Sequence, residues 1–162
     1  MPDRLRPVEE YLPRGSPRGC ILVVSDHRPL NLGHAAALCL EGYAVYTAVT
    51  CTDVPRVFEG FAVGAVDAIV FASLVHGWHH GEAEGRPKGT PRATDRDWQI
   101  RNIAEVVGTV SERQENPPTV LIASELMTFG WYAITPEVLT AAGIEYRTYS
   151  VSDPRSIVGL LW

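Results

Sequence analysis

Cys20-Ile21-Leu22-Val23-Val24-Ser25-Asp26-His27 and Asp67-Ala68-Ile69-Val70-Phe71-Ala72-Ser73 decide the fold of this chain. Each is a short apolar run, rich in β-branched residues and bounded by polar ones. Such runs read as strands covered on both faces, as in a parallel α/β sheet. They differ where they end: the first closes on a carboxylate, Asp26, and the second on none.

Working outward, further strands are expected at 44–49, 119–123 and 146–149, with helices between them. Asn31 is placed to cap a first helix whose inner face carries Leu32, Ala35, Ala36 and Cys39, and Gly42 supplies its stop. A second helix begins near Asp53 with Pro55 in its first turn. Thr94 and Asp97, spaced as in a capping box, open a third that carries Ile100, Ile103, Ala104, Val107 and Val110 to about Arg113. Thr135, Pro136 and Gly143 bracket a fourth over 137–142, and Ser152-Asp153-Pro154 starts a last one over 155–161. Five strands alternating with five helices predict a three-layer α/β fold. Its sheet is doubly wound, five-stranded and parallel, with the ligand edge at the carboxyl ends of the strands. A long loop, 74–94, follows strand 3, and loops of this length in small domains tend to be functional or disordered. Residues 1–19 read as an N-terminal arm in which Val8 and Tyr11-Leu12 could dock, and residues 20–162 as the domain.

Composition narrows the function classes. The chain has 162 residues, 46% hydrophobic and 20% charged, which is ordinary for one globular domain. Its net charge of -5, with Arg scattered and Lys88 the single lysine, excludes the basic stripe of a nucleic-acid surface. Cys20, Cys39 and Cys51 form no CxxC and indicate neither a disulfide framework nor a zinc knuckle, so a reducing cytoplasm is the expected compartment. No apolar run approaches the roughly 20 residues of a membrane span, and no membrane partner is expected.

With Ile21 to Asp26, Leu40-Glu41-Gly42-Tyr43-Ala44-Val45, Val66-Asp67-Ala68-Ile69-Val70 and Ala142-Gly143-Ile144-Glu145-Tyr146 in this order and spacing, the chain resembles the receiver domain of two-component response regulators over about residues 20–161. The resemblance implies a flavodoxin-like fold. It also implies an Mg²⁺ site from an acidic pair after strand 1, a phosphoacceptor Asp ending strand 3, a hydroxyl after strand 4 and a Lys after strand 5. Clustered carboxylates hold a hard cation, and cationic and hydroxyl donors neutralise a transferred phosphoryl group. Here the acidic pair is Ser25-Asp26, the acceptor position falls on Ala72 or Ser73, the hydroxyl on Ala123 or Ser124, and Tyr149-Ser150 stand where the Lys belongs. A lone carboxylate builds no tight Mg²⁺ site, and a serine forms no acyl phosphate. The pattern resembles a degenerate or pseudo-receiver, a subgroup that keeps the fold as a protein-interaction module.

Two other constellations bear on function. His76, His79, His80, Glu82 and Glu84 fall within the long loop, and with Asp26 or His27 they could ligate a divalent metal such as Zn²⁺ or Ni²⁺. Asp26-His27 could serve as an acid/base pair with Ser25 or Ser73 as nucleophile, although neighbours on a strand point to opposite faces and no Gly-x-Ser-x-Gly elbow surrounds either serine. Between strand 4 and the next helix, Phe129, Trp131 and Tyr132 gather aromatics of the kind enriched at interface cores. The expected function is therefore a signalling or regulatory module that is not an enzyme, holds no cofactor and binds a signalling protein partner. The alternatives are a metal-dependent enzyme or metal sensor using residues 76–84, and a phosphorylated response regulator with an atypical acceptor. Leu160, Leu161 and Trp162 at the chain end point to a homodimer through the last helix and its neighbouring strand.

Overall fold

In the computed structural model, which describes residues 7–73, 75, 96–128 and 134–161, the two decisive runs lie side by side at the centre of a mixed sheet. The strands are β1 (Val8–Tyr11), β2 (Cys20–Val24), β3 (Ala44–Ala48), β4 (Ala68–Phe71), β5 (Thr119–Ala123) and β6 (Arg147–Tyr149). The helices are α1 (Arg28–Leu40), α2 (Val54–Gly60), α3 (Arg96–Ser111), α4 (Ser124–Thr128), α5 (Pro136–Ala141) and α6 (Ile157–Leu160). Single 3-10 turns, Cys51–Asp53 and Pro154–Ser156, lead into α2 and α6.

The sheet order is β1-β3-β2-β4-β5-β6, with β2 to β6 parallel and β1 antiparallel to β3. A five-stranded, all-parallel sheet is thus corrected to six strands and mixed pairing. The sixth strand comes from the segment read as an arm, where Val8 pairs with Ala48 and Tyr11 with Val45. Four residues with two glutamates carry too weak a signal to stand out, yet they suit an edge, where charge discourages pairing with a foreign strand. Both acids are tied down locally: Glu9 accepts the Tyr11 hydroxyl at 2.5 Å and Glu10 the Tyr46 hydroxyl at 3.0 Å.

Every residue of β2, β3 and β4 is buried, which explains the unbroken apolar runs of the two central strands. Thr47 and Val49 share a cleft with α1, whereas the Tyr46 ring packs on Phe61 just beyond α2. Neighbours on a strand point to opposite faces, so α1 and α2 cover opposite sides of the sheet. On one side α1 packs against the Pro154–Ser156 turn, and on the other α2 packs against α3.

The helix stops are as expected. Gly42 (φ 97°) and Gly143 (φ 75°) follow α1 and α5 in the left-handed conformation, and Tyr43 and Ile144 then donate back to the Leu38 and Leu139 carbonyls at 3.1 and 3.0 Å. Thr135 caps α5 through Val138 N, with Pro136 in its first turn. The start of α1 is different. The helix opens at Arg28 with Pro29 in its first turn, and Asn31 is not its cap but lies buried inside it. The buried face is Asn31, His34, Ala35 and Leu38, while Leu32 is 57% exposed. The expected inner face is turned because two polar residues find partners in the interior that the apolar ones do not need. In α3 Ile100, Ile103 and Val110 are buried as expected, with Val106 in place of the exposed Ala104. Thr94 lies outside the described residues.

Before β4, Gln114 completes the sheet's hydrogen bonding. Its Oε1 accepts Val66 N at 2.9 Å and its Nε2 donates to Val66 O at 2.8 Å, so one carboxamide mimics a strand neighbour for a buried residue. Leaving buried donors and acceptors unpaired costs about 1–3 kcal/mol each. Gln114→Ala is therefore expected to lower unfolding stability by about 2 kcal/mol or more, read as a shift in the urea midpoint at unchanged slope.

Candidate functional site

In a doubly wound sheet the ligand crevice opens where the strand order reverses, outside the carboxyl ends of the strands. Here β2 leads sideways to β3 and the chain then returns to β4 on the other side of β2, so the reversal lies between β2 and β4. Ser25 and Asp26 follow β2, and Ala72 and Ser73 follow β4. The fold thus brings together four of the expected site residues.

Hydrogen bonds join Ser25, Asp26 and Ser73. Ser25 Oγ and Ser73 Oγ are 2.6 Å apart, the Ser73 hydroxyl donates to Asp26 Oδ1 at 2.5 Å, and Asp26 N donates to Ser73 Oγ at 3.1 Å. With that proton committed to Asp26, Ser25 is the donor to Ser73. Ser25 Oγ in turn accepts His27 N at 3.0 Å, and the Ser25 carbonyl accepts Asn31 Nδ2 at 3.1 Å. Ser25 is fully buried and Asp26 and Ser73 are half-buried. Ala72 is buried and continues the pairing, its N–H donating to Val24 O at 3.3 Å. The expected Asp26-His27 acid/base pair is not formed in this set: His27 contributes its backbone, and its side chain is exposed.

The other members of the expected pocket go elsewhere. Ser124 opens α4, its hydroxyl 3.4 Å from Glu125 Oε1. Glu125 also accepts Val151 N at 3.0 Å and the Ser150 hydroxyl at 2.9 Å, which ties the ends of β5 and β6. Burial pushes the Glu125 carboxyl up, but the Val151 and Glu125 N–H groups and the Ser150 and Ser124 hydroxyls outweigh it and hold the pKa below the ordinary carboxylate value. Tyr149 turns away to α1, its hydroxyl 2.7 Å from His34 Nε2. His34 Nδ1 lies 2.8 Å from Leu30 O, which can only accept, so Nδ1 carries the proton and Nε2 receives the one from Tyr149. The rings meet edge to face at 5.6 Å. Desolvation lowers the His34 pKa, with the Leu30 bond in partial opposition, and burial raises that of Tyr149, with Glu125 adding to the rise.

A third polar set anchors the chain beyond Ser73. Gln99 Oε1 accepts Val75 N at 3.0 Å and Asn102 Nδ2 donates to Val75 O at 2.8 Å, all three residues being buried. Sequence reasoning missed Gln99, Asn102, His34, Asn31 and Glu125. The available signal was a polar residue recurring at helical spacing within an otherwise apolar stripe. Cys51 and Cys20 thiols are pushed up to about 12, by burial first and then by Glu105 and Asp67 respectively, and so are poor nucleophiles.

The candidate metal residues His76, His79 and His80, and the candidate partner-binding residues Phe129, Trp131 and Tyr132, lie outside the described residues. Among the described residues no group of three or more His, Cys, Asp or Glu is arranged to hold a metal ion, and no helix is long and apolar enough to cross a membrane.

No family model matches the chain, and no curated protein does. Among solved structures it is similar to a fusion carrying yeast Spc42 trimeric coiled-coil amino acids 181–211, at 17% identity and TM-score 0.49, covering 91% of this chain and 78% of that one. It is similar to an uncharacterized protein from Neptuniibacter caesariensis at 10% identity and TM-score 0.48, covering 91% and 89%. It is also similar to a response regulator receiver domain protein from Clostridium thermocellum at 14% identity and TM-score 0.38, covering 89% and 99%. At these scores none of the three assigns a family.

The buried, neutral His34 gives stability a pH dependence of definite sign. Its folded pKa lies below the ordinary value of about 6.5, so the unfolded chain takes up the proton first and stability rises with pH. The contribution is complete above about pH 6.5 and declines on acidification towards the folded pKa. Urea titrations between neutral and mildly acidic pH should show this decline. His34→Gln should be less stable at neutral pH and should lose part of the slope; an unchanged slope contradicts the assignment.

Proposed function

We propose that this chain is a receiver-like signalling module that acts by binding another protein, with the phosphoacceptor chemistry lost. What carries the reading is the Ser25–Ser73–Asp26 set at the strand reversal. At the end of β4, where a receiver presents its acceptor carboxylate, this chain has the buried methyl of Ala72 and a hydroxyl, Ser73, whose proton is given to Asp26. Among the described residues at the crevice Asp26 is thereby held by a neighbouring hydroxyl rather than by a second acid. The order of the five parallel strands, 2-1-3-4-5 when counted from β2, supports the same flavodoxin-like, receiver-like assignment.

A sheet of this kind collects its loops at the carboxyl edge, so with phosphoryl transfer gone the remaining use of that edge is recognition. On this reading the module is not an enzyme, needs no cofactor and works in the cytoplasm. Its second contact is a homodimer through α6 and β6, where Leu160 and Leu161 are only partly covered by the core.

Treatment with acetyl phosphate and Mg²⁺, followed by intact-mass measurement, is expected to leave the protein unmodified. A stable phosphoryl group mapped to Asp26 or Asp67 would overturn the proposal. For the homodimer, light scattering at high protein concentration should give twice the monomer mass, and a monomer there rejects it.

A further inference from the structure

The amino-terminal strand forms one wall of a cleft. Glu9 and Tyr11 of β1 face the first turn of α1, and the space between them is about 370 Å³. Thr47 and Val49 line it from β3, and Arg28, Pro29, Asn31 and Leu32 line it from α1. The lining is mostly apolar with a few polar groups, the pattern of small-molecule sites, and the volume is within their usual range.

The polar groups are the informative part. Thr47 is 5% exposed and stands opposite Glu9 in the strand register, and among the described residues its hydroxyl has no hydrogen-bond partner. Asn31 is equally buried; its Nδ2 serves Ser25 O, but among the described residues its Oδ1 has no partner. Buried polar groups are nearly always paired, so the unpaired Asn31 Oδ1 on the lining of this cleft calls for a partner, and the Thr47 hydroxyl beside it is free to supply a second contact. The Arg28 guanidinium has no ion-pair partner among the described residues, whereas Glu9 is engaged by the Tyr11 hydroxyl. Arg28 also opens α1, which has no side-chain cap and no acid in its first turn, so the positive end of the helix adds to the guanidinium field.

We infer that this cleft binds a small apolar carboxylic acid with a hydroxyl beside its carboxylate. The carboxylate pairs with Arg28 and accepts from Thr47, the hydroxyl donates to Asn31 Oδ1, and the apolar body lies against Tyr11, Pro29, Leu32 and Val49. The site meets the Ser25–Ser73–Asp26 set through Asn31, whose Nδ2 serves Ser25 O, but it takes a different ligand and stands whether or not the receiver-like reading holds.

The test uses 3-phenyllactate and 2-hydroxyoctanoate as probes, with 3-phenylpropionate lacking the hydroxyl and 3-phenyllactamide lacking the charge. Titration is followed by amide and side-chain NMR shifts of the full chain. At least one hydroxy acid should bind saturably, moving the Asn31 carboxamide and Thr47 signals, and which one does so tells an aromatic body from an aliphatic one. The matching control without charge, and Arg28→Gln, should each weaken binding severalfold; Arg28 is partly exposed, so the variant is expected to fold, and its amide spectrum checks this. Thr47→Val provides a second variant of nearly the same shape and should weaken binding as well. No saturable binding of either hydroxy acid at millimolar concentration, or equal binding by acid and amide, or binding unchanged in Arg28→Gln, overturns the inference.

Discussion

The structure depends on keeping β2 and β4 paired while both are dry on both faces. Hydrophobic burial drives the strands inward, but it is non-directional and does not choose a register. Polar groups at the strand ends do that here. Asp67 accepts Cys20 N at 2.8 Å at one end of the pair, and the Ser73 hydroxyl closes on Ser25 and Asp26 at the other. Gln114 ahead of β4, and Gln99 with Asn102 beyond it, supply hydrogen bonds to backbone that the ladder no longer reaches. A slip of one residue would leave these groups unpaired together.

That constraint shapes what the crevice can do. Catalytic sites usually keep a polar group poised and incompletely satisfied, with its pKa moved towards the task. At the β2/β4 reversal Ser73 instead binds both Ser25 and Asp26, and the His27 side chain is exposed. The buried titratable pair, His34 and Tyr149, sits on the α1 side and fastens α1 to the end of β6. Such an arrangement favours a rigid platform for recognition over one that exchanges protons or phosphoryl groups, and it is the physical basis of the proposed function.

Much of the fold was legible because the strongest signals are local. The β2 and β5 bounds, the Thr135-Pro136 start of α5 and the Gly42 and Gly143 stops follow from apolar runs, capping chemistry and left-handed backbone. The first edge strand was not legible, since Val8–Tyr11 owes its conformation to β3 rather than to its own pattern. The face of α1 was misjudged for a related reason: burying Asn31 and His34 is favourable only with Ser25 O, Leu30 O and Tyr149 in place, and Ser25 and Tyr149 lie outside the helix whose periodicity is read. The site was legible in part. Ser25, Asp26, Ala72 and Ser73 could be gathered from the strand ends, whereas Tyr149's turn towards His34 and the role of Glu125 depend on tertiary contacts.

The central claim is that the crevice between β2 and β4 is closed by Ser73 and Asp26 and takes up no phosphoryl group. Beryllofluoride with Mg²⁺ mimics an acyl phosphate on a receiver's acceptor, so its titration followed by backbone NMR is the most direct test. The account predicts no saturable shifts at residues 25, 26, 72 and 73. Saturable, Mg²⁺-dependent shifts centred on those residues would contradict it.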